Sequence, residues 1–478
     1  MPDSTDYDLV VIGAGPGGTA AAETAALLGK TVAVVEAALD VGGAAVNTGT
    51  VPSKTLRETA VALSGLRTRN LYGVDLSLRR GATVDDFLRH ERAVRVGERA
   101  DIRARLDRLG VEVVHGTGRF LGPHAVGVAG PGGARQLNGG AIVIAIGSAP
   151  VRPPEFAFES HRIHDSDELI DLRTLPTSLA VVGAGVIGSE YACMFAALGV
   201  RVYLIDGRDA LLPFLDADLS AALAGAMRDL GIEFVWGEKV TTCTEPPTGP
   251  IRLALSSGRG LEVDQVLVCA GRVSRAADLD PAAAGVVLAD KGRLAVDAHF
   301  RTNVPHVYAV GDVIGFPALA STSAEQGRAA ACHAFGAPHH ETVAAVLPTG
   351  IYTIPEVSAA GETEAGLKEK GIDYVVGRAD YAQTPRGKII GDKVGFLKLL
   401  FRRADLALLG VHVIGEQASE VVHIGVLGLT TGATADLFQR TCFNYPTLGD
   451  LYKLATTDAL LKRNKLGRDP LILEEAGW

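Results

Sequence analysis

The sequence has no apolar run long enough to cross a bilayer, no cluster of lysine and arginine, and no two cysteines at motif spacing. Each absence removes a class of protein. A membrane-spanning helix needs roughly 18 or more apolar residues in a row, and no segment supplies them. With 46 basic against 55 acidic side chains the net charge is −9, and the basic stripe that a nucleic-acid binder would present is missing. No nucleic-acid partner is expected. The five cysteines, Cys193, Cys243, Cys269, Cys332 and Cys442, form neither a C-x-x-C nor a C-x4-C pair. Each sits in or beside an apolar run, where a free thiol behaves as a small hydrophobe, so five buried or inert thiols are expected. No metal site is expected either. Met1 to Tyr7 is polar and acidic and runs directly into a strand-like segment, which leaves no room for a signal peptide and points to the cytoplasm.

A length of 478 residues is about three ordinary domains, and 47% hydrophobic with 21% charged residues is the balance of a globular protein. The 57 glycines fall at turns between apolar runs. Residues 7–12 (YDLVVI) read as a strand, GAGPGG as a turn, the Ala-rich stretch to Lys30 as a helix and 31–36 (TVAVVE) as a second strand. The same order returns over 179–206: LAVV, GAGVIG, an apolar helix and VRVYLID. A repeated βαβ unit means a duplicated architecture. Residues 111–149 and 251–271 read as strand meanders, and from about 341 the pattern changes to mixed strands and helices through 462. The charged tail beyond that is expected to be loosely ordered.

The glycines carry the chemistry. In the first turn Gly13 permits the tight bend, Gly15 lets backbone approach a pyrophosphate, and Gly18 lets helix and strand pack closely. The helix N-terminus behind them offers N–H donors to an anion. Glu36, 18 residues beyond Gly18, stands where a carboxylate would hold ribose hydroxyls. Gly183, Gly185 and Gly188 repeat the turn, with Asp206 again 18 residues on. One such turn is weak; two with strand, helix and acid in register predict two dinucleotide sites. Asp206 favours the 2′-hydroxyl of NAD(H), whereas Arg208, two residues later, could receive the 2′-phosphate of NADP(H). An Asp206–Arg208 surface pair in a purely NAD-specific site is the plainer reading.

At 305–312 the chain reads PHVYAVGD, a strand ending in Gly311–Asp312. This segment resembles the second FAD fingerprint of the pyridine nucleotide–disulfide oxidoreductase family, whose Asp bonds the ribityl-phosphate region of FAD. By that resemblance the first turn binds FAD and the second a nicotinamide nucleotide. The expected class is α/β: two Rossmann-like dinucleotide-binding domains and a C-terminal α+β dimerisation domain. The implied segments are 1–150 and 273–340 for FAD, 151–272 for NAD(P), 341–462 for a two-fold homodimer contact, and a tail at 463–478. Residues 42–54 (GGAAVNTGTVPSK) align with the family's redox segment, where two cysteines are separated by four residues; here Ala45 and Thr50 stand in their places. The family's His–Pro–Thr segment appears as Tyr445–Pro446–Thr447, with Asp450 for its acid. Both thiols and the imidazole that serves them are therefore missing together. Ala and Thr form neither thiolate nor disulfide, so exchange with a disulfide substrate has no chemical route.

GTVPSKTLR at 49–57 and FNYPT at 443–447 resemble a transhydrogenase branch of the family, and HDSDEL at 164–169, LPTGIYTIPEVS at 347–358 and GVHVIGE at 410–416 agree. Ala45 departs from that branch, which usually keeps the first Cys. The resemblance implies that Lys54 lies beside the flavin and pairs with Glu190, favouring negative charge on the flavin. Tyr445 stands where the family's catalytic His would be. The expected activity moves hydride between NADP(H) and NAD(H) through FAD, with ping-pong kinetics because no disulfide stores the electrons. Alternatives are an NAD(P)H:quinone reductase, with a quinone as partner, and a non-enzymatic protein that reports nucleotide occupancy.

Overall fold

The computed structural model describes residues 4–65, 83–337 and 342–467, and the chain divides into two compact units. The first comprises residues 1–56, 83–174 and 268–343. Its frame is β1 (Ser4–Ile12), α1 (Pro16–Leu27) and β2 (Val32–Glu36), the βαβ unit expected from the sequence. It continues through α2 (Gly43–Asn47), α3 (Thr50–Ser64, which crosses into the second unit) and α4 (Val84–Arg108). Strands β3 (Glu112–His115), β4 (Thr117–Gly122), β5 (Ala125–Gly130) and β6 (Gly133–Ile144) follow. The sheet order is β3-β2-β1-β6-β5-β4, and the strand Val307–Ala309 pairs with β6. β3, β2, β1, the far half of β6 and Val307–Ala309 run parallel, while β4 and β5 are antiparallel.

Parallel strands are buried on both faces and so read as unbroken apolar runs. Leu9, Val11, Val34 and Val143 point to one face, under Ala21, Ala22 and Ala25 of α1 and Ile102 and Leu106 of α4. Val10, Ile12, Val35 and Ile144 point to the other, where Phe120, Val126 and Val128 of the β4–β5 hairpin cover them. The meander expected over 111–149 is that second cover. α4 starts at a capping box in which the Thr83 side chain and Asp86 satisfy each other's backbone N–H, and it ends with Arg105 and Arg108 in its last turn.

The second unit comprises residues 57–82, 175–267 and 344–478. Four of its strands lie in the order Glu233–Trp236, Arg201–Asp206, Ser178–Val182, Gln265–Val268. Helix Val186–Ala197 packs behind them with every residue from Gly188 to Ala197 buried. Its C-terminal part is a five-stranded antiparallel sheet: Thr349–Ile351, Glu356–Gly361, Leu408–Gly415, Phe396–Arg402, Tyr374–Asp380. Leu397, Leu399, Phe401, Val411 and Val413 of that sheet pack on Val421, Phe438, Leu451 and Tyr452 of the helices that follow. The last helix, Asp450–Gly467, runs past the point at which a loose tail was expected, and the rest of that tail lies outside the described residues.

One buried ionic cluster joins the two parts of this unit. Lys398, 1% exposed, directs its ammonium at Asp218 (2.9 Å), Asp216 (3.2 Å) and Glu364 (2.5 Å). Burial alone would lower the lysine, but the three carboxylates raise it above its ordinary value. This is the one group of acids among the described residues spaced to hold a metal ion, and the ammonium already supplies its positive charge.

Candidate functional site

In the first turn, Gly13 has φ +106°, and a Cβ there would lie 2.4 Å from the Ala145 carbonyl oxygen. A Cβ on Gly18 would lie 1.9 Å from the Gly13 oxygen, so helix α1 can sit this close to β1 only without a side chain. At Gly15, by contrast, a Cβ would meet only the Gly43 Cα at 3.8 Å, which leaves open space over the N-terminus of α1. No acidic residue stands in the first turn of that helix. Glu36, 8% exposed, accepts the N–H of Ala14 (2.8 Å) and of Ala38 (2.8 Å). The turn is thus an anion-accepting cradle with a carboxylate fixed at its rim, which fits a dinucleotide.

α4 braces the same cradle. Arg99 donates to the Asn47 side chain (2.6 Å) and pairs with Asp40 (2.7 Å), holding both ends of the segment that carries Gly42 and Gly43. Gly42 donates to the Ala14 carbonyl (2.8 Å), and a Cβ on Gly43 would lie 2.7 Å from the Gly15 Cα. Sequence reasoning did not single out Arg99, which in the sequence is one of several arginines on a charged helix.

Gly311 and Asp312 open a short 3-10 turn after the strand Val307–Ala309. The Gly311 N–H is taken by the buried Gln326 side chain (2.7 Å). One oxygen of Asp312 accepts from the Ser148 hydroxyl (2.8 Å), and that hydroxyl accepts from Arg272 Nε (2.9 Å). Arg272 is also paired with Asp167 (2.8 Å), within the HDSDEL segment. Ser148, Arg272 and Gln326 carried no signal in the sequence, because each meets its partner only through the sheet.

The second turn repeats the first almost atom for atom. Gly183 has φ +107°, a Cβ on Gly188 would lie 1.9 Å from the Gly183 oxygen, and a Cβ on Gly185 would meet nothing within 4 Å. Asp206 accepts from the N–H of Ala184 (2.7 Å) and of Arg208 (2.9 Å), and the Arg208 guanidinium grips both its oxygens at 2.8 and 2.7 Å. Burial alone would raise this carboxyl. The Arg208 side chain and the two N–H donors outweigh burial and hold it at about 2.

Lys54, in α3 and half-buried, donates to the Ser53 hydroxyl at 3.3 Å and lies in the first unit. Glu190, in the second unit, is 2% exposed and accepts the Tyr352 N–H at 2.8 Å. A surface role for Glu190 is thereby removed. Three residues after Lys54, Arg57 is 2% exposed, pairs with Glu356 (3.0 Å) and donates to the Thr353 carbonyl (3.3 Å). Tyr445 is 74% exposed, ahead of the helix that begins at Asp450. Ala45 sits on α2 and Thr50 opens α3.

The thiols, expected to be buried or inert, differ in exposure. Cys193 and Cys332 are buried, Cys243 and Cys269 are partly so, and Cys442 is exposed. Burial pushes Cys193 up to about 12 and Cys243 to about 11, so neither is a thiolate near neutral pH.

Two glycine cradles with carboxylate rims, each between parallel strands, recur in one chain, an arrangement that fits two dinucleotides. Comparison with known proteins narrows the class. Residues 7–327 match the family model for pyridine nucleotide-disulphide oxidoreductases, and residues 347–456 match the dimerisation domain of the same family. The chain belongs to the pyridine nucleotide-disulphide oxidoreductase family, a family of flavoprotein enzymes. It is 45% identical over 97% of its length to a soluble pyridine nucleotide transhydrogenase of Mycobacterium bovis, 99% of which is covered. It is 38% identical to the protein of that name from Colwellia psychrerythraea, over 96% of this chain and 99% of the relative. Among solved structures it is similar to LpdA from Mycobacterium tuberculosis (TM-score 0.87, 27% identity, 95% of this chain and 99% of that one). The fold is also that of the HOCl-induced flavoprotein disulfide reductase RclA from Escherichia coli (TM-score 0.86, 24% identity, 94% and 99%). The α/β architecture expected from the sequence is thereby established. Among the described residues, no helix is long and apolar enough to cross a membrane.

Proposed function

We propose that this chain is a soluble pyridine nucleotide transhydrogenase, moving hydride between NADP(H) and NAD(H) by way of FAD. The observation that carries this reading is the pairing of two intact dinucleotide cradles with the loss, in one chain, of both thiols and the imidazole at positions 45, 50 and 445. The relatives named as transhydrogenases, matched over nearly the whole chain, support it over the alternatives. No observation favours the quinone reductase or the non-enzymatic reading.

On this proposal residues 1–150 and 273–340 hold FAD, 151–272 hold the nicotinamide nucleotide, and 341–462 make a homodimer contact in the cytoplasm. Gly13, Gly15, Gly18 and Glu36 would hold the adenosine and pyrophosphate end of FAD, and Gly311 and Asp312 its ribityl-phosphate region. Gly183, Gly185, Gly188, Asp206 and Arg208 would hold the nicotinamide nucleotide. Bound FAD supplies a two-electron carrier that keeps the reducing equivalents between half-reactions. The protein's own residues orient and tune. Ser148 occupies one oxygen of Asp312 and leaves the other for a ligand hydroxyl. Lys54 is assigned as the cation that favours negative charge on the flavin, and Glu190 as its carboxylate. Tyr445 puts a phenol where the family's catalytic imidazole would stand, which suits a reaction without a thiol to deprotonate.

The test is anaerobic stopped-flow on the holoenzyme, mixing NADPH and then thio-NAD+ while following flavin absorbance. Fast bleaching and fast recovery with formation of thio-NADH are expected, with ping-pong steady-state kinetics. A flavin that bleaches and recovers only on addition of a quinone would replace this function with the quinone reductase.

A further inference from the structure

Arg208 has the position of a 2′-phosphate receptor, but its guanidinium is already engaged. Its Nε and one terminal nitrogen grip the two oxygens of Asp206, and its own N–H also points at that carboxylate. A phosphate arriving there meets a carboxylate held at about 2, hence charged at every physiological pH. Two anions at contact repel each other, so the Asp206–Arg208 pair by itself disfavours NADP(H).

A second cation stands at the same strand end. The segment 237–239 is tied back to 206–208 by two backbone bonds, Gly237 N–H to the Arg208 carbonyl (3.1 Å) and Glu238 N–H to the Asp206 carbonyl (3.2 Å). Between Asp206 and Arg208, Gly207 has no side chain, and the Lys239 stem lies across the gap. A Cβ on Gly207 would be 3.3 Å from Lys239 Cε and 3.6 Å from its Cγ. The ammonium is one bond further on, Lys239 is exposed, and among the described residues that ammonium makes no ion pair. The neighbouring acid is occupied: Glu238 accepts from the Ser256 hydroxyl (2.7 Å) and the Ser257 N–H (3.0 Å).

We propose that Lys239 is the cation that recognises the 2′-phosphate of NADP(H), while Asp206 with Arg208 reads the 2′-hydroxyl of NAD(H). One strand end then serves both nucleotides without rearranging its half-buried carboxylate. A compact ammonium on a flexible stem suits this task, because it can move onto a phosphate when one is present and return to water when it is not. The inference rests on the reading that the second glycine turn holds a nicotinamide nucleotide.

The test is calorimetric titration of the FAD-loaded protein with 2′,5′-ADP and with 5′-AMP, which carry the adenosine end with and without the extra phosphate. Lys239→Ala is expected to weaken 2′,5′-ADP about tenfold or more and 5′-AMP less than about twofold, with Lys239→Arg recovering most of the loss. In steady state, the same variant should raise KM for NADPH without a matching rise for NADH. If Lys239→Ala weakens both fragments equally or neither, or if only Arg208→Ala removes the difference between them, Lys239 is not the phosphate reader. If neither fragment binds the unmodified protein, the second turn is not a nucleotide site and the transhydrogenase reading falls with it.

Discussion

At the first glycine turn the Glu36 carboxylate accepts two backbone N–H groups and is almost wholly buried, while at the second Asp206 accepts two and is also gripped by Arg208. The backbones are nearly the same: φ is +106° at Gly13 and +107° at Gly183, and the same 1.9 Å approach recurs at Gly18 and Gly188. On the proposed function, the fold offers one way to seat a pyrophosphate and leaves discrimination to the rim. A rim closed over by backbone suits a ligand that stays, and a rim with a half-exposed arginine and a nearby lysine suits one that comes and goes.

The harshest way to break this comparison is to add one methyl group to each turn. Gly18→Ala forces its Cβ onto the Gly13 oxygen and should give a colourless protein that no longer retains FAD, read by absorbance after purification. Gly188→Ala makes the same clash in the second turn and should leave the protein yellow but not bleached by NADPH or NADH. If Gly188→Ala instead loses its flavin, the two turns have been assigned the wrong way round.

A smaller effect is expected from the rims. Glu36→Gln replaces one acceptor with an amide NH2 facing a buried N–H, a loss of about 1.5–3 kcal/mol, and should weaken FAD tenfold or more on equilibrium dialysis of the apoprotein. Asp206→Asn disrupts a pair whose arginine is half exposed, so its cost to folding should stay under about 1 kcal/mol. Its effect should appear instead as a shift of preference toward NADPH. Equal destabilisation by the two variants, measured by urea unfolding, would show that the rims do not differ as described.

The smallest effect is on acid stability. Because the Asp206 carboxyl is held at about 2, below the ordinary value near ~3.9, its pairing contributes stability fully above about pH 4. That contribution is lost as pH falls from about 4 toward 2. The stability gap between the protein and Asp206→Asn should be constant from neutral pH to about 5 and narrow below about 4. A gap that widens on acidification would contradict the pairing.

Much of this was legible along the chain. The strand, turn, helix and acid of each βαβ unit lie within a few dozen residues, and local spacing is sufficient to find them. The absence of thiols at 45 and 50 and of an imidazole at 445 is likewise a matter of composition at aligned positions. The tail was read less well. The pattern of charges around Lys462 looks like loose chain, yet the helix continues to Gly467, with Lys462 paired to Asp458 one turn earlier. The exposure of Cys442 was not legible either, because an apolar neighbour such as Phe443 does not by itself imply burial of the thiol beside it.

The sequence by itself determined the class of the protein, the number of its glycine cradles and the absence of thiols at 45 and 50, because glycine conformation, helix dipoles and residue type act locally. Only the tertiary structure decided which charges are spent. Ser148 meets Asp312 across 164 residues, Arg57 meets Thr353 across 296, and Lys239 crosses Gly207 from the turn after the strand Glu233–Trp236. A charge's role depends on what neutralises it and how much water remains around it, and neither is a property of its place in the chain.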